Sequence, residues 1–242
     1  MTSRSSSRSR KSKASAVRLS MAAENYLLSI YRLEEQNVRV TLTVLADHLK
    51  TLPTDEGLGT SLPSVGGMIR RLTREGLVET TANKEVVLTS KGRKPAESIV
   101  RRHRLAECLV VDLLGIDLHL AHIEAHRLEH AISEYLEEKI VKALNDPSTC
   151  PFGHPIPGSG YKPNKDTKTL DQAKQGEELV IDSVPEDDHA LLTYFVEQNL
   201  VPGREVDVRE TAKTRGVITL DGGDGDMVFS YDIAALIRVS PR

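Results

Sequence analysis

The chain has 242 residues, 39% hydrophobic and 28% charged, with a net charge of −3. That length permits one large domain or two to three small ones, and the composition is that of an ordinary globular chain. Two cysteines, Cys108 and Cys150, exclude a disulfide framework and fit a reduced, cytoplasmic protein; no apolar run approaches the roughly 20 residues of a membrane span.

Charge is unevenly distributed. Residues 1–18 carry Arg4, Arg8, Arg10, Lys11, Lys13 and Arg18 and no acid. Rich in Ser, Arg and Lys, they predict a disordered tail, either a basic arm for phosphates or a solubilising extension. The tail lacks the apolar segment of a signal peptide.

Residues 19–90 read as a DNA-binding head. Ser20 to Glu35 predicts a first helix, with Ser20 as N-cap, Glu24 in its first turns and an apolar stripe of Tyr26, Leu27, Ile30, Tyr31 and Leu33. Thr41 to Lys50 predicts a short second helix capped by Thr43. After a loop marked by Pro53, Gly57 and Gly59, Ser61 caps a third helix with Pro63 in its first turn, where a missing N–H costs little. Val65, Met68, Ile69 and Leu72 form its buried stripe, and Ser64, Arg70, Arg71 and Arg74 its exposed face. Gly76 ends it, and Leu77 to Thr89 alternates about a turn at Asn83-Lys84, as a small hairpin does. Helix, helix, turn, helix, hairpin is the winged helix-turn-helix pattern, whose third helix enters the DNA major groove. The Arg cluster and the basic tail favour DNA over a module for protein contacts.

Residues 91–146 read as a helical domain for metal binding and dimerisation. The basic segment TSKGRKPAE leads into a long helix broken by Gly115 and Asp117, and Ala121 to Asn145 predicts a second long helix. On the latter, His122, His126, Glu129 and His130 lie at i, i+4, i+7 and i+8. At about 100° per residue they share one face. His103 and Glu107 form a further i, i+4 pair, and five of the eight histidines fall between His103 and His130. Imidazoles and a carboxylate on one face suit a divalent first-row metal; the alternative is a solvated polar stripe. Four ligand-type side chains stacked together weaken a core unless something satisfies them, which favours metal. The other face carries Ile123, Ala131, Leu136, Ile140 and Leu144. Two long helices with more apolar surface than one small domain can cover predict a dimer.

Residues 147–168, dense in Pro, Gly and Lys, predict a linker with a locally ordered start. In residues 169–242, ELVIDSV, EVDVRE, GVITLDG and MVFSYDIAALIRVS read as strands, with a helix in DDHALLTYFVEQNLVPG ending at Gly203. A small SH3-like barrel fits, and the whole chain reads as mainly α with small β parts.

The segments ENYLLSIYRLEE (24–35), RRLTREGLV (70–78), LTSKGR (88–93), HRLAE (103–107), HIEAHRLEH (122–130) and PFGHPIPG (151–158) resemble those of the diphtheria toxin repressor and manganese transport regulator family of metal-dependent transcriptional regulators. The C-terminal segment is similar to the family's SH3-like (FeoA-like) domain. The resemblance implies a cytoplasmic repressor that binds palindromic operators of metal-homeostasis genes as a homodimer when loaded with Mn²⁺ or Fe²⁺.

Carried over position by position, the resemblance implies an ancillary metal site of His103, Glu107 and His122. It implies a primary site of His126, Glu129, His130 and, from the first helix, Asn25. Asn25 and His126 depart from the family patterns, which place Met and Cys there in iron-responsive members and Asp and Glu in manganese-responsive ones. Asn ligates only through a neutral carbonyl, so Glu24 or water is the alternative. An all-N,O set suits Mn²⁺ first and Fe²⁺ next, with Zn²⁺, Co²⁺, Ni²⁺ or Cd²⁺ expected to bind in vitro. Some members add ancillary ligands from the third domain; the corresponding stretch here is Glu186, Asp187, Asp188 and His189, in which Asp188 falls nearest the family position by counting back from Gly203, and the alternative is an acidic helix N-terminus. The expected DNA contacts are Ser61, Pro63, Ser64, Arg70, Arg71 and, in the hairpin, Lys84. The loop around Thr54 to Leu58 is longer than the usual turn, and Gly67 stands where the family often presents Gln. Gly66 and Gly67 weaken the third helix by up to about 1 kcal/mol each relative to Ala.

Two rival readings are a metal-dependent hydrolase and a metal-storage or metal-delivery protein. Against an enzyme, no separate general base or substrate loop accompanies the cluster.

Overall fold

The computed structural model describes residues 19–52, 58–223 and 225–242. The basic tail of residues 1–18 and the Thr54–Gly57 part of the long loop lie outside the described residues.

Helix α1 (Met21–Glu35) starts at Ser20, whose hydroxyl accepts the Ala23 N–H. Helix α2 (Leu42–Leu49) is capped by Thr41, not Thr43. Thr41 has the extended backbone that a cap needs and its Oγ1 accepts the Val44 N–H, whereas Thr43 already lies inside the helix. Helix α3 (Leu62–Arg74) is capped by Ser61 and carries Pro63 in its first turn. Strands β1 (Val78–Thr80) and β2 (Val86–Leu88) pair antiparallel, Val78 opposite Leu88, with Lys84 left-handed in the turn at φ 61°. Tyr26, Leu27, Ile30, Leu45, Leu49, Val65, Ile69, Leu72 and Val86 close the core of this head; Met68 is only half-buried.

Helix α4 (Ser90–Cys108) absorbs the basic segment that the sequence sets apart. Thr89 caps it, and Pro95 removes one intrahelical bond without ending it. A Cβ at Gly92 would stand 1.8 Å from the Leu77 carbonyl oxygen, so only glycine lets α4 start this close to the hairpin. The helix runs on into a π turn over Leu109–Leu113.

The single helix expected over Ala121 to Asn145 is two, α5 (Leu118–Glu129) and α6 (Glu134–Ala143). Ser133 is extended (φ −81°, ψ 161°) and accepts the Leu136 N–H, so a cap inside the run interrupts a periodicity that otherwise continues. The chain after α6 opens as ordered structure: Cys150, Phe152 and Ile156 are buried in the core that α4 and α5 share with the C-terminal sheet. Gly153, at φ +85°, presses against the backbone at Asp182 and Ser183; a Cβ there would lie 1.9 Å from the Asp182 carbonyl oxygen.

The C-terminal part comprises β3 (Lys168–Thr169), β4 (Glu178–Ser183), α7 (His189–Glu197), β5 (Glu205–Ala212), β6 (Val217–Asp221), β7 (Asp226–Ser230), α8 (Tyr231–Ala234) and β8 (Arg238–Pro241). Its strands form one antiparallel sheet in the order β3-β8-β4-β5-β6-β7. Alternate residues Val206, Val208, Ile218, Leu220, Met227 and Phe229 are buried, and α7 meets this face at Phe229, with Phe195 5.9 Å from it between ring centres. MVFSYDIAALIRVS is not one strand: Ser230 accepts the Ile233 N–H and starts α8, which separates β7 from β8. Helix α7 stops at Glu197, short of Gly203, with Asn199 left-handed at φ 52°. No described helix is long and apolar enough to cross a membrane.

Candidate metal centre

The polar cluster lies in the interior, where α1, α4, α5 and the turn before α7 meet. His103 and Glu107 come from α4; His122, His126 and Glu129 come from α5, and His130 is its C-cap. None of these six is more than 8% exposed. Such burial of polar groups demands partners.

The ancillary candidates form a tight triangle. His103 Nε2 is 2.9 Å from Glu107 Oε1 and 3.2 Å from His122 Nδ1, and His122 Nδ1 is 3.3 Å from the same Glu107 oxygen. A fourth donor comes from the stretch in which the sequence singles out Asp188, but from a different residue of it. Glu186, between β4 and α7, brings an oxygen to within 4.8 Å of the donor atoms of His103, Glu107 and His122. Asp188 does not face the cluster; it is exposed and caps α7 by accepting the Leu191 N–H. Counting back from Gly203 selects Asp188 because it assumes an unbroken helix, whereas the helix begins just after Asp188 and Glu186 sits in the approach to it. The only sequence signal for Glu186 is an acid directly following an apolar strand.

The primary candidates meet around Glu129. Its Oε1 is 3.5 Å from His126 Nδ1 and 3.3 Å from His130 Nε2, and its Oε2 is 2.5 Å from His103 Nδ1. Glu129 thus touches both halves of the cluster. His130 Nε2 is also 2.8 Å from Asn25 Oδ1, while its Nδ1 is 2.7 Å from Glu24 Oε2. Asn25 therefore shares the Nε2 side with Glu129, and Glu24 lies behind the ring, where Arg102 holds it at 2.8 Å.

Arg32 is the second functional candidate missed from sequence. Its guanidinium is buried 2.5 Å from Glu186 and 2.8 Å from Asp187, tying α1 to the C-terminal part beside the cluster. A basic residue late in α1 reads as an ordinary helix-end charge, so nothing in the sequence marked it.

The electrostatics suit a cation. Burial, and then the neighbouring His126, lowers His103 to about 4; burial and the Arg32 charge lower His126 to about 3; burial puts His122 well below its ordinary value. Neutral imidazoles present lone pairs, the form in which histidine ligates. Burial raises Glu107 to about 7 and also raises Glu186. Glu107 Oε2 is buried without a hydrogen-bond partner among the described residues. Neutral nitrogens and partnerless carboxylate oxygen in one place fit a divalent ion with N,O ligands.

The DNA-contact candidates lie together on another surface. Ser61, Pro63, Ser64, Arg70 and Arg71 are exposed on α3 or at its cap, and Lys84 is exposed in the hairpin turn. Ser61 Oγ and Ser64 Oγ are hydrogen-bonded at 2.9 Å, and Arg71 pairs with Glu75 at 2.9 Å.

A winged head whose first helix walls an imidazole–carboxylate centre is the build of a metal-controlled transcription factor. Comparison with known proteins agrees. Three family profiles match in order: the iron dependent repressor N-terminal DNA-binding domain over residues 18–86, the iron dependent repressor metal-binding and dimerisation domain over 89–158, and the FeoA domain over 168–241. The iron-dependent repressor IdeR of Mycobacterium leprae is 34% identical over 229 residues, covering 89% of this chain and 95% of the relative. The diphtheria toxin repressor of Corynebacterium diphtheriae is 32% identical over 227 residues, covering 89% and 95%. A solved manganese-dependent transcriptional repressor in complex with manganese superposes with a TM-score of 0.79 at 29% identity, covering 91% of this chain and all of that one. The chain belongs to the diphtheria toxin repressor family of metal-dependent transcriptional repressors. Members of this family are not enzymes, and the hydrolase reading falls with that.

Proposed function

We propose that this protein represses metal-homeostasis genes from the cytoplasm, binding palindromic operators as a homodimer when loaded with Mn²⁺ or, next in order, Fe²⁺. The observation that carries this reading is the double use of α1. Its apolar stripe, with Tyr26, Leu27 and Ile30, belongs to the core of the DNA-binding head, while Glu24 and Asn25 on the same helix touch His130.

A divalent ion, when bound, supplies the charge and coordination bonds that satisfy the buried donors together. His126, Glu129, His130 and Asn25 are the primary set in this reading, and His103, Glu107 and His122, with Glu186, the ancillary set. With the primary donors drawn in, α1 is held against α5, and α3 is held at one angle to the helical domain. The exposed Leu113, Leu114 and Leu120 near the α4–α5 junction offer an apolar surface for the second protomer. Two fixed heads then meet two half-sites, which is a shift of population toward the DNA-competent form. The shift requires that this form hold the metal more tightly.

The choice of metal follows from the donors and from the relatives. No sulfur ligand is among the proposed ones, and carboxylate with imidazole suits Mn²⁺ and Fe²⁺. Of the similar proteins, IdeR of Mycobacterium leprae is named for iron and the solved repressor for manganese.

The test is fluorescence anisotropy on the promoter upstream of a metal-uptake gene, titrated with Mn²⁺, anaerobic Fe²⁺ and Zn²⁺ at fixed salt, because salt alone shifts affinity strongly. Tightening with metal is expected, and Glu129→Gln is expected to lose it while staying folded. Operator binding that ignores metal would sink the reading.

A further inference from the structure

The imidazoles of His103, His122 and His126 form a triangle that takes two members from the ancillary set and one from the primary set, and so coincides with neither. Their ring centres are 4.9 Å apart for His103 and His122, 4.5 Å for His103 and His126, and 4.6 Å for His122 and His126. One nitrogen from each lies within 4.8 Å of the other two, and all three residues are buried.

We propose that these three histidines form an alternative position for a late, borderline divalent cation such as Zn²⁺, exclusive of the four-donor ancillary set. The pair His103–His122 is common to both arrangements. In one, Glu107 and Glu186 complete it with oxygen; in the other, His126 completes it with nitrogen. Around a tetrahedral zinc with Zn–N of about 2.0–2.1 Å, ligand nitrogens stand roughly 3.4 Å apart. His103 Nε2 and His122 Nδ1 are already 3.2 Å apart, and a nitrogen of His126 lies within 4.8 Å of a nitrogen of each.

The donors sort the metals. Carboxylate oxygen suits harder ions, while three imidazoles and an open fourth place suit zinc. A cation in the three-histidine position draws His126 away from Glu129, which it faces at 3.5 Å, and so removes one donor from the set around α1. The helical domain then holds the ion tightly without fastening the head. Zinc becomes a ligand that competes with the activating metal rather than replacing it.

This deepens the metal reading given above, but its test is separate from DNA binding. The full chain would be loaded with one equivalent of Zn²⁺ and the imidazole ligands counted by X-ray absorption at the zinc edge. Three imidazoles are expected. Glu107→Gln is expected to keep three, and His126→Ala to leave two. Two imidazoles with carboxylate oxygen in the unaltered protein would overturn the proposal, as would failure to take up zinc. The unaltered chain decides the question even where His126→Ala does not fold. Three imidazoles in a protein whose DNA binding ignored every metal would leave this site standing and remove the regulator reading alone.

Discussion

Arg32 and Glu186 form a buried ion pair at 2.5 Å that crosses from the DNA-binding head to the C-terminal part of the chain. Asp187 adds a second carboxylate at 2.8 Å. Burial alone would raise Asp187, but the Arg32 charge, with His48, His154 and His126 acting in the same direction, outweighs it and holds the carboxyl below its ordinary range. Removing the guanidinium leaves two acids in the interior without a counter-charge. Arg32→Met is therefore expected to lower stability by about 3–5 kcal/mol, the usual effect of breaking a buried pair from one side. Urea unfolding measures this, and a loss below about 1 kcal/mol would class the contact with surface pairs. Limited proteolysis of the same variant is expected to cut faster near residues 185–189, where the C-terminal part loses its anchor on α1.

Glu24 is expected to act behind the metal ligand His130. With a cation on Nε2, its carboxylate, 2.7 Å from Nδ1, would accept the Nδ1–H and leave the Nε2 lone pair for the ion beside Asn25 and Glu129. Carboxylates placed this way set the tautomer and basicity of a ligating histidine, and losing one typically lowers metal affinity 10–100-fold. Glu24→Ala is expected to fall in that range for Mn²⁺, read by competition with a fluorescent chelator. Asn25→Ala is expected to be milder than Glu24→Ala, because a neutral carbonyl contributes less to a cation than the group that orients the imidazole. The reverse ranking would make Asn25 the dominant contribution from α1.

Much of this organisation is written locally, and so it was legible. Ser20 and Ser61 cap helices by their own hydroxyls, and His122, His126 and Glu129 share a face because helical spacing puts them there. What escaped sequence reading depends on contacts over long separations or on two local signals in competition. Ser133 and Ser230 are caps embedded in runs whose hydrophobic pattern carries on past them, so period outweighed punctuation. Glu186 joins His103 and Glu107 only because β4 and the Gly153 turn carry it to α4. Asp188 has the better local credentials for a functional acid, but its carboxylate serves its own helix.

The buried histidines make the metal-free protein acid-sensitive. His103, at about 4, and His126, at about 3, both lie below the unfolded value near 6.5, and His122 is lowered too. Below that unfolded value the unfolded chain binds protons that the folded chain refuses, so stability falls as pH falls through this window. Glu107 and Glu186 work in the opposite sense: Glu107, raised to about 7, and Glu186, also raised by burial, hold protons in the folded state that the unfolded chain releases, which favours folding on acidification. Three imidazoles outweigh two carboxyls. The urea midpoint of the metal-free protein is expected to drop between about pH 7 and about pH 5, by an amount worth a few kcal/mol. An unchanged or higher midpoint at the lower pH would mean that the histidines take up protons within the fold. Saturating Mn²⁺ is expected to raise the midpoint most near neutrality, because ligation needs Glu107 deprotonated and the imidazoles neutral.

Arg70 and Arg71 separate two kinds of surface charge on α3. Arg71 is engaged by Glu75 at 2.9 Å, so contact with a phosphate means giving up an existing partner. Arg70 instead lies over the Gly66-Gly67 pair, with Nη1 3.3 Å from where a Gly66 Cβ would stand. With no side chain beneath it, the guanidinium is expected to swing onto the DNA backbone. Each phosphate contact contributes about 0.9 to the slope of log affinity against log salt concentration. Arg70→Ala is expected to reduce that slope by about one contact and to weaken specific and unrelated duplexes alike. Arg71→Ala is expected to change the slope less. A loss for Arg70→Ala confined to the specific operator, with the salt slope unchanged, would instead assign that side chain to a base edge.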